Sequence, residues 1–312
     1  MAAVDTLNEH CRDVARLLLK GRPVVPFLGA GANLCERPAE QGWQDGYLPS
    51  GYELAAHLAA DYHYPDSEID LLRVSQWVDL RDGQQELVTE LHDVFARDYR
   101  PNKLHHFLAS LPGTLREKGV RTCGQLLLTT NYDDVLESAF EKAGEKVDVV
   151  AYEMRRNEQR FVHLRPDGER VEIEDAATYR DFALEKQSVI LKIHGHVDSK
   201  NPTRDTFVIT EDNYIDYMAG ARVYDLIPTY LTERIGRSQL LFLGYSLRDW
   251  NLRVILRQIW AEQDFRTAGW SIQRGPSEVD TKFWKRQEIT IYDFALEDWV
   301  DAMVNAMSGG SA

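Results

Sequence analysis

Short apolar runs recur along this chain, and each run is followed by a turn and then by a segment with helical periodicity. The runs cover residues 24–28, 125–129, 147–151, 189–193, 239–243, 270–273 and 289–292. Such runs, alternating with helical patterns, are typical of buried parallel strands joined by helices. The pattern predicts an α/β fold, a Rossmann-like parallel sheet with helices on both faces.

Nearly a hundred residues separate the first two predicted strands, and their apolar spacing is helical at 51–62, 67–79, 84–96 and 102–111. This pattern predicts a helical subdomain, residues 50–112, inserted after the first strand. The polar stretch 155–180 surrounds Pro166-Asp167-Gly168 and predicts a hairpin-like surface excursion. With neither repeats nor long linkers, residues 1–312 are interpreted as a single domain. Further helices are predicted at 249–262, 277–286 and 297–307.

Composition narrows the classes of function. Acidic residues outnumber basic ones by 50 to 36, a formal charge of −14, which disfavours direct binding of nucleic acid. The three cysteines, Cys11, Cys35 and Cys123, form no CxxC pair, so thiolates cannot build a zinc ribbon, and no metal site is predicted. No apolar run approaches the ~20 residues that span a bilayer. We therefore expect a cytoplasmic protein that has no contact with a membrane.

A glycine-rich loop, Gly29-Ala30-Gly31, follows the first predicted strand. In doubly wound folds this place binds the phosphates of a nucleotide, because glycines let the backbone approach a pyrophosphate. The third glycine of GxGxxG would fall at Leu34, so a plain tight turn is the alternative.

A second polar segment, TTNYDD at 129–134, ends the strand 125–129 and precedes a helix. Asn131, Asp133 and Asp134 could simply cap that helix. Ligands of open α/β sheets, however, bind at the carboxyl ends of strands. On that interpretation Asn131 and Asp133 face the same crevice as the glycine loop.

His194 follows the strand 189–193 and precedes Gly195. A histidine at a strand end suits a general base, because its ordinary pKa lies near ~6.5. The alternative is a structural histidine that bonds a nearby carbonyl. His196 is expected to face differently.

Gly244-Tyr245-Ser246 ends the strand 239–243. Ser246 and Asp249 could form a capping box at the start of the next helix. A serine-hydrolase elbow would need glycine where Arg248 stands, and the chain has no P-loop, HExxH or EF-hand pattern.

Together the four segments GAG, TTNYDD, HG and GYS resemble the sirtuin family, whose members carry such segments around bound NAD. The resemblance covers roughly residues 23–33 and 125–256, and TTNYDDVLE with GYSLRDWNL is most similar to the bacterial branch found in anti-phage defence. Residues 33–38, NLCERP, depart from the serine and Pro-Asp-Phe-Arg run that follows GAG in sirtuins. The four zinc cysteines are also missing, which argues against deacylation.

The resemblance implies a role for each matching residue. Asn131 would position the ribose and a water, His194 would act as base, and Asp133 would hold the carboxamide of nicotinamide. The residues implied to bind the rest of NAD are Gly29, Ala30, Gly31, Asn33, Thr130, Gly244 and Ser246.

The activity implied is an NAD hydrolase that releases nicotinamide and ADP-ribose and serves abortive infection by depleting NAD. NAD is then a substrate, and the reaction requires no metal. Control of such an activity implies homo-oligomers and a partner, a HerA-type ATPase or a short Argonaute. The alternatives are a non-catalytic module that binds NAD or ADP-ribose and an NAD-dependent protein deacylase.

Overall fold

A computed structural model describes residues 2–155, 158–219, 223–247, 253–254, 256 and 268–309. Most of the predicted helix 249–262 therefore lies outside the described residues. None of the described helices is both long and apolar enough to span a membrane.

A nine-stranded sheet forms the centre of the fold, and the predicted α/β class with its mostly parallel sheet is confirmed. The strands pair in the order β11-β10-β9-β1-β2-β6-β3-β4-β5, parallel from β11 to β3 and antiparallel from β3 to β5. The strands are β1 (Val24–Leu28), β2 (Leu126–Thr129), β3 (Val147–Arg155), β4 (Glu158–Leu164), β5 (Arg170–Glu172), β6 (Ser188–Lys192), β9 (Gln239–Leu243), β10 (Gly269–Gln273) and β11 (Ile289–Asp293). A separate two-stranded ribbon pairs β7 (Gly195–His196) with β8 (Thr206–Phe207).

Helices cover both faces of this sheet. The described helices are α1 (Ala2–Leu19), α2 (Gly51–Asp61), α3 (Leu71–Asp82), α4 (Gln84–Phe95), α5 (Lys103–Glu117), α6 (Val135–Lys142), α7 (Glu211–Ala219), α8 (Val223–Leu226), α9 (Thr229–Gly236), α10 (Glu278–Lys285) and α11 (Leu296–Ser308). One face packs against α1, α5, α6 and α11, and the other against α7, α8, α9 and α10.

The central strands are apolar along their whole length because both of their faces are covered. Every residue of β1, β2 and β6 is buried, so the inward-outward alternation of a half-exposed strand is absent. At one edge of the sheet, β4 and β5 form a hairpin around the predicted turn Pro166-Asp167-Gly168. Because β4 also pairs with β3, this hairpin is part of the same sheet.

Capping decides where the helices after β1 begin. Ser50 and Glu53 form a capping box at the start of α2. Asp70 accepts hydrogen bonds from the backbone N–H groups of Leu72 and Arg73, so α3 begins at Leu71 rather than at residue 67 as predicted.

The residues predicted as an insertion belong to two layers. Helices α2, α3 and α4 share a third core, which includes Leu58, Val78 and Leu91 and is completed by residues such as Val135 of α6 and Phe207 of β8. Helix α5, by contrast, packs on a face of the sheet with α1, α6 and α11. The division into a single domain with an insertion at 50–112 and an excursion at 155–180 stays a prediction.

Candidate functional site

The site lies where the chain order reverses across the sheet. From β1 the chain continues to β2 on one side, and it later returns to β9 on the other side. In open α/β sheets the crevice at the carboxyl ends of such strands is the usual ligand site. The loops after β1, β2, β6 and β9 carry the four segments singled out in the sequence.

The loops after β1 and β9 touch through their backbones. Gly31 N donates to Gly244 O over 2.9 Å, and Gly29 N donates to Leu243 O over 3.2 Å. A Cβ on Gly31 would lie 2.6 Å from Gly244 O, and one on Gly244 would lie 2.2 Å from the nitrogen of Ala32. Gly244 also has a φ of +64°, which favours glycine. Glycine is therefore required at both places for the two loops to meet.

The loop after β2 is attached to the glycine loop through Asn131. Its backbone N–H donates to Thr129 Oγ1 over 2.9 Å, and its side-chain Nδ2 donates to Gly29 O over 3.2 Å. The side-chain amide thus faces the glycine loop and does not cap α6.

Asp133 is a buried carboxylate, 4% exposed. Its oxygens accept hydrogen bonds from Asn33 Nδ2 over 2.9 Å and from the N–H of Val135 over 3.2 Å. Burial raises the pKa of Asp133, and the positive charge of Lys192 and the bond from Asn33 oppose that rise. The bond to Val135 bears out part of the capping interpretation, since Val135 begins α6.

His194 lies at the carboxyl end of β6 and is 3% exposed. Its Nδ1 lies 3.4 Å from the hydroxyl of Tyr214, and the edges of Tyr214 and Tyr217 pack against its ring. His196 faces elsewhere, since its Nε2 lies 3.4 Å from a carboxylate oxygen of Glu153. Of these two histidines only His194 lines the crevice.

A cavity of about 150 Å³ brings these side chains together. Residues at the ends of strands make up most of its lining. The helical segments after β1 form the wall on another side. The strand-end group comprises Ala30, Asn33, Thr130, Asn131, Tyr132, Asp133, His194 and Tyr245, and Tyr214 of α7 adds to the lining. The wall comprises Pro49, Ser50, Gly51, Leu54, Leu71 and Phe95.

A second cavity, of about 260 Å³, lies at the carboxyl ends of β9 and β10. It is lined by Gly31, Gly244 and Ser246, with Arg274 and Glu297 opposite. Tyr245 lines both cavities, so the two spaces flank the contact between the loops after β1 and β9.

Nine of the ten residues proposed from the sequence thus line one of the two cavities. The exception is Gly29, where an added Cβ would lie 2.6 Å from Cδ2 of Tyr245. The sequence predicted that helices of residues 51–111 cover this region, but it did not single out the individual residues of the wall. It also missed Lys192, a buried lysine two residues before His194. A charged residue at the end of an apolar strand was the available signal for Lys192.

Among the described residues, one group has side chains of the types that ligate metals in close proximity: His57, Asp61 and Glu90. The imidazole of His57 contacts both carboxylates, at 3.4 Å for Asp61 and 2.9 Å for Glu90, and so links α2 to α4. None of the three lines either cavity.

Comparison with known proteins identifies the family of this chain. A family model described as a SIR2-like domain matches residues 125–292, more than half of the chain. The NAD(+) hydrolase ThsA of Cytobacillus dafuensis is 25% identical over 230 residues, 74% of this chain and 37% of that protein. The protein of the same name from Acinetobacter baumannii is 28% identical over 231 residues, 74% of this chain and 38% of that protein.

A third relative is the defense-associated sirtuin 2 of Bacillus subtilis, 24% identical over 280 residues, which are 87% of this chain and 23% of that protein. The chain therefore matches between about a quarter and two-fifths of the length of these relatives.

Proposed function

Because this chain belongs to the family of SIR2-like domains, we propose that it is an NAD glycohydrolase, which cleaves NAD into nicotinamide and ADP-ribose. The observation that carries the proposal is the cavity in which Asn131, Asp133 and His194 meet beside the glycine loop. The names of the relatives, NAD(+) hydrolase and defense-associated sirtuin, support the same chemistry.

NAD is long, and the two cavities offer a place for each of its ends. We assign the diphosphate to the contact between the loops after β1 and β9, where Gly31 and Gly244 leave no side chain in the way. The nicotinamide riboside then enters the cavity of Asn131, and the adenosine enters the cavity that Ser246 lines.

The reaction breaks the bond between C1′ of the ribose and the nicotinamide nitrogen. The bonding electrons go to the pyridinium ring, which leaves as neutral nicotinamide, and the ribose passes through an oxocarbenium-like transition state. The oxygen of a water then bonds to C1′, and its proton passes to His194. Asn131 orients the ribose hydroxyls and the water, while Asp133 holds the carboxamide.

Water is a better acceptor than a peptide in this cavity. The segment that carries α2, α3 and α4 contributes Leu54, Leu71 and Phe95 to its wall, and the volume is about 150 Å³. We infer that a bound nicotinamide ribose occupies this volume, so that an acyl-lysine peptide would have to displace the wall. This wall supports hydrolysis over deacylation.

In the cell, we assign this activity to anti-phage defence by NAD depletion, which ends in abortive infection. Such an enzyme must be silent until triggered, so we propose control through homo-oligomers and a separate sensor, either a HerA-type ATPase or a short Argonaute. The net charge of −14 favours recognition of nucleic acid by the partner and not by this chain. We place the protein in the cytoplasm.

The proposal is tested by measuring nicotinamide and ADP-ribose in infected cells and in reactions of purified protein with the candidate partners, for the parent, Asn131→Ala and His194→Ala. Asn305→Ala and His106→Ala are matched controls, because both residues are exposed and lie outside the site. We expect NAD loss with the parent and both controls only. A protein that binds NAD tightly and leaves it intact in both settings would support the non-catalytic module instead.

A further inference from the structure

Lys192 is the last residue of β6, and it is only 2% exposed. In the sheet it pairs with Thr129 of β2 on one side and with Ala151 of β3 on the other. Removing an ammonium from water is costly unless it finds partners. The choice of partners therefore indicates what this lysine does.

All three partners belong to the segment that directly follows Asn131. The ammonium Nζ lies 2.5 Å from the carbonyl oxygen of Asp133 and 3.4 Å from that of Tyr132. It also lies 2.6 Å from Oε1 of Glu137, in the first turn of α6. Since an ammonium has three N–H donors, these three acceptors match its full capacity.

The same segment is held at its beginning by other contacts. Asn131 donates from its backbone to Thr129 and from its side chain to the carbonyl of Gly29. Lys192 fixes the far end, two residues beyond Asn131. The amide of Asn131 and the carboxylate of Asp133 thus lie between two fixed points at the cavity.

We propose that Lys192 is a positioning residue for NAD cleavage: by holding the carbonyls of Tyr132 and Asp133, it sets where Asn131 meets the ribose of NAD and where Asp133 meets the carboxamide. This inference rests on the proposed function. A lysine that served only as an ion pair for Glu137 would stabilise the fold without affecting the chemistry.

Electrostatics agree with this arrangement. Burial raises the pKa of both Asp133 and Glu137, and the nearby charge of Lys192 opposes the rise in each case. The lysine therefore favours the ionised form of the carboxylate that faces the substrate as well as the one in its ion pair.

The test separates positioning from stability by replacing the whole ion pair. In Lys192→Met/Glu137→Leu the ion pair is removed as a unit, and such a replacement is often neutral or stabilising. The carboxylate of Asp133 loses the nearby charge of Lys192 but keeps its hydrogen bonds from Asn33 and Val135. We expect a Tm at or above that of the parent, but a kcat lower by about 100-fold, because a shift of about 1 Å in a reacting group costs that much. KM changes less than kcat, since the loops after β1 and β9 still hold the phosphates.

Two single variants serve as controls. Glu137→Gln keeps an acceptor for Lys192 and leaves both carbonyl contacts, so we expect it to retain the kcat of the parent. Lys192→Arg keeps the charge and several donors, so we expect it to lose less of the parental rate than the double variant loses.

A crystal structure of the double variant supplies a readout that does not depend on turnover. We expect the amide of Asn131 to move beyond hydrogen-bond distance of Gly29 O, from the 3.2 Å of the parent. Parental kcat, or an unmoved Asn131, in the double variant overturns the inference. If the parent leaves NAD intact while Asn131 moves in the double variant, the proposed reaction fails but the role of Lys192 in holding the loop stands.

Discussion

Asn33 donates a hydrogen bond from its side-chain Nδ2 to Oδ2 of Asp133 over 2.9 Å, although the two residues lie 100 positions apart. One follows β1 and the other follows β2, and both are buried. The bond joins the glycine loop to the loop of Asn131 before any substrate arrives. Such preorganisation is what a site needs if its polar groups are to act on a developing charge.

We predict that Asn33→Ala lowers the free energy of unfolding by about 1–3 kcal/mol, because a buried carboxylate loses a donor. It should also slow NAD cleavage, since Asp133 loses its link to the glycine loop. Urea denaturation and nicotinamide release measure the two effects. Asn305→Ala, on an exposed position of α11, is the control, and an equal effect of both substitutions would contradict the prediction.

The contact between the loops after β1 and β9 gives a second prediction. Gly244→Ala and Gly275→Ala both place alanine at a positive φ, +64° and +58°. Only the Cβ at 244 meets backbone, at 2.2 Å, whereas nothing lies within 4 Å at 275. Strain at φ alone costs about 1 kcal/mol. We expect urea denaturation to give a clearly larger loss for Gly244→Ala, together with loss of NAD binding.

Gly31→Ala isolates the close approach, because Gly31 is not at a positive φ and its Cβ would lie 2.6 Å from Gly244 O. It should weaken NAD binding more than Gly275→Ala does. Equal NAD affinities of the Gly31→Ala and Gly275→Ala proteins would remove the loop contact from the binding site.

The sequence predicted the sheet well because burial on both faces leaves a continuous apolar run, as in β1, β2 and β6. It predicted most of the strand-end residues because parallel strands bring their carboxyl ends to one edge. It did not predict that Leu54 and Phe95 line the cavity, because in the sequence both look like ordinary core residues of amphipathic helices. Lys192 was missed because the carbonyl groups that it binds lie in the loop after β2. No local sequence pattern indicates a contact between two segments so far apart in the chain.

A buried histidine predicts how stability depends on pH. His10 in α1 packs against Trp270 and Tyr292, and burial lowers its pKa to about 4, with Asp13 opposing. Since its ordinary pKa is about 6.5, the contribution of neutral His10 is complete above pH 6.5 and is lost as pH falls toward 4. The loss amounts to about 3 kcal/mol, at about 1.4 kcal/mol per pH unit.

The variant His10→Phe keeps a ring against Trp270 and should lose stability less steeply between pH 6.5 and 4. Some slope remains, because burial also lowers the pKa of His105, to about 3. Urea denaturation at several pH values measures how the free energy of unfolding depends on pH. The control is His106→Gln, because His106 is exposed and follows the buried His105 in the chain. A His10→Phe protein with the parent's full slope would refute the assignment.

The wall formed by the helical segments predicts the acceptor. Nicotinamide release should proceed without a peptide, and an acetyl-lysine peptide should not increase its rate, because Leu54, Leu71 and Phe95 line the side of the cavity that a peptide would need. Mass spectrometry should find ADP-ribose and no O-acetylated product. Release that depends strictly on the acylated peptide would instead establish a deacylase.

The most direct measurement determines both the binding and the cleavage of NAD in the same samples of purified parent, Asn131→Ala and His194→Ala, each incubated with the candidate partners. We predict that the parent converts NAD to equal amounts of nicotinamide and ADP-ribose, and that both variants still bind NAD but cleave it at least about 100-fold more slowly. Variants that cleave NAD as fast as the parent, while folded to the same Tm, would contradict the assignment of the site.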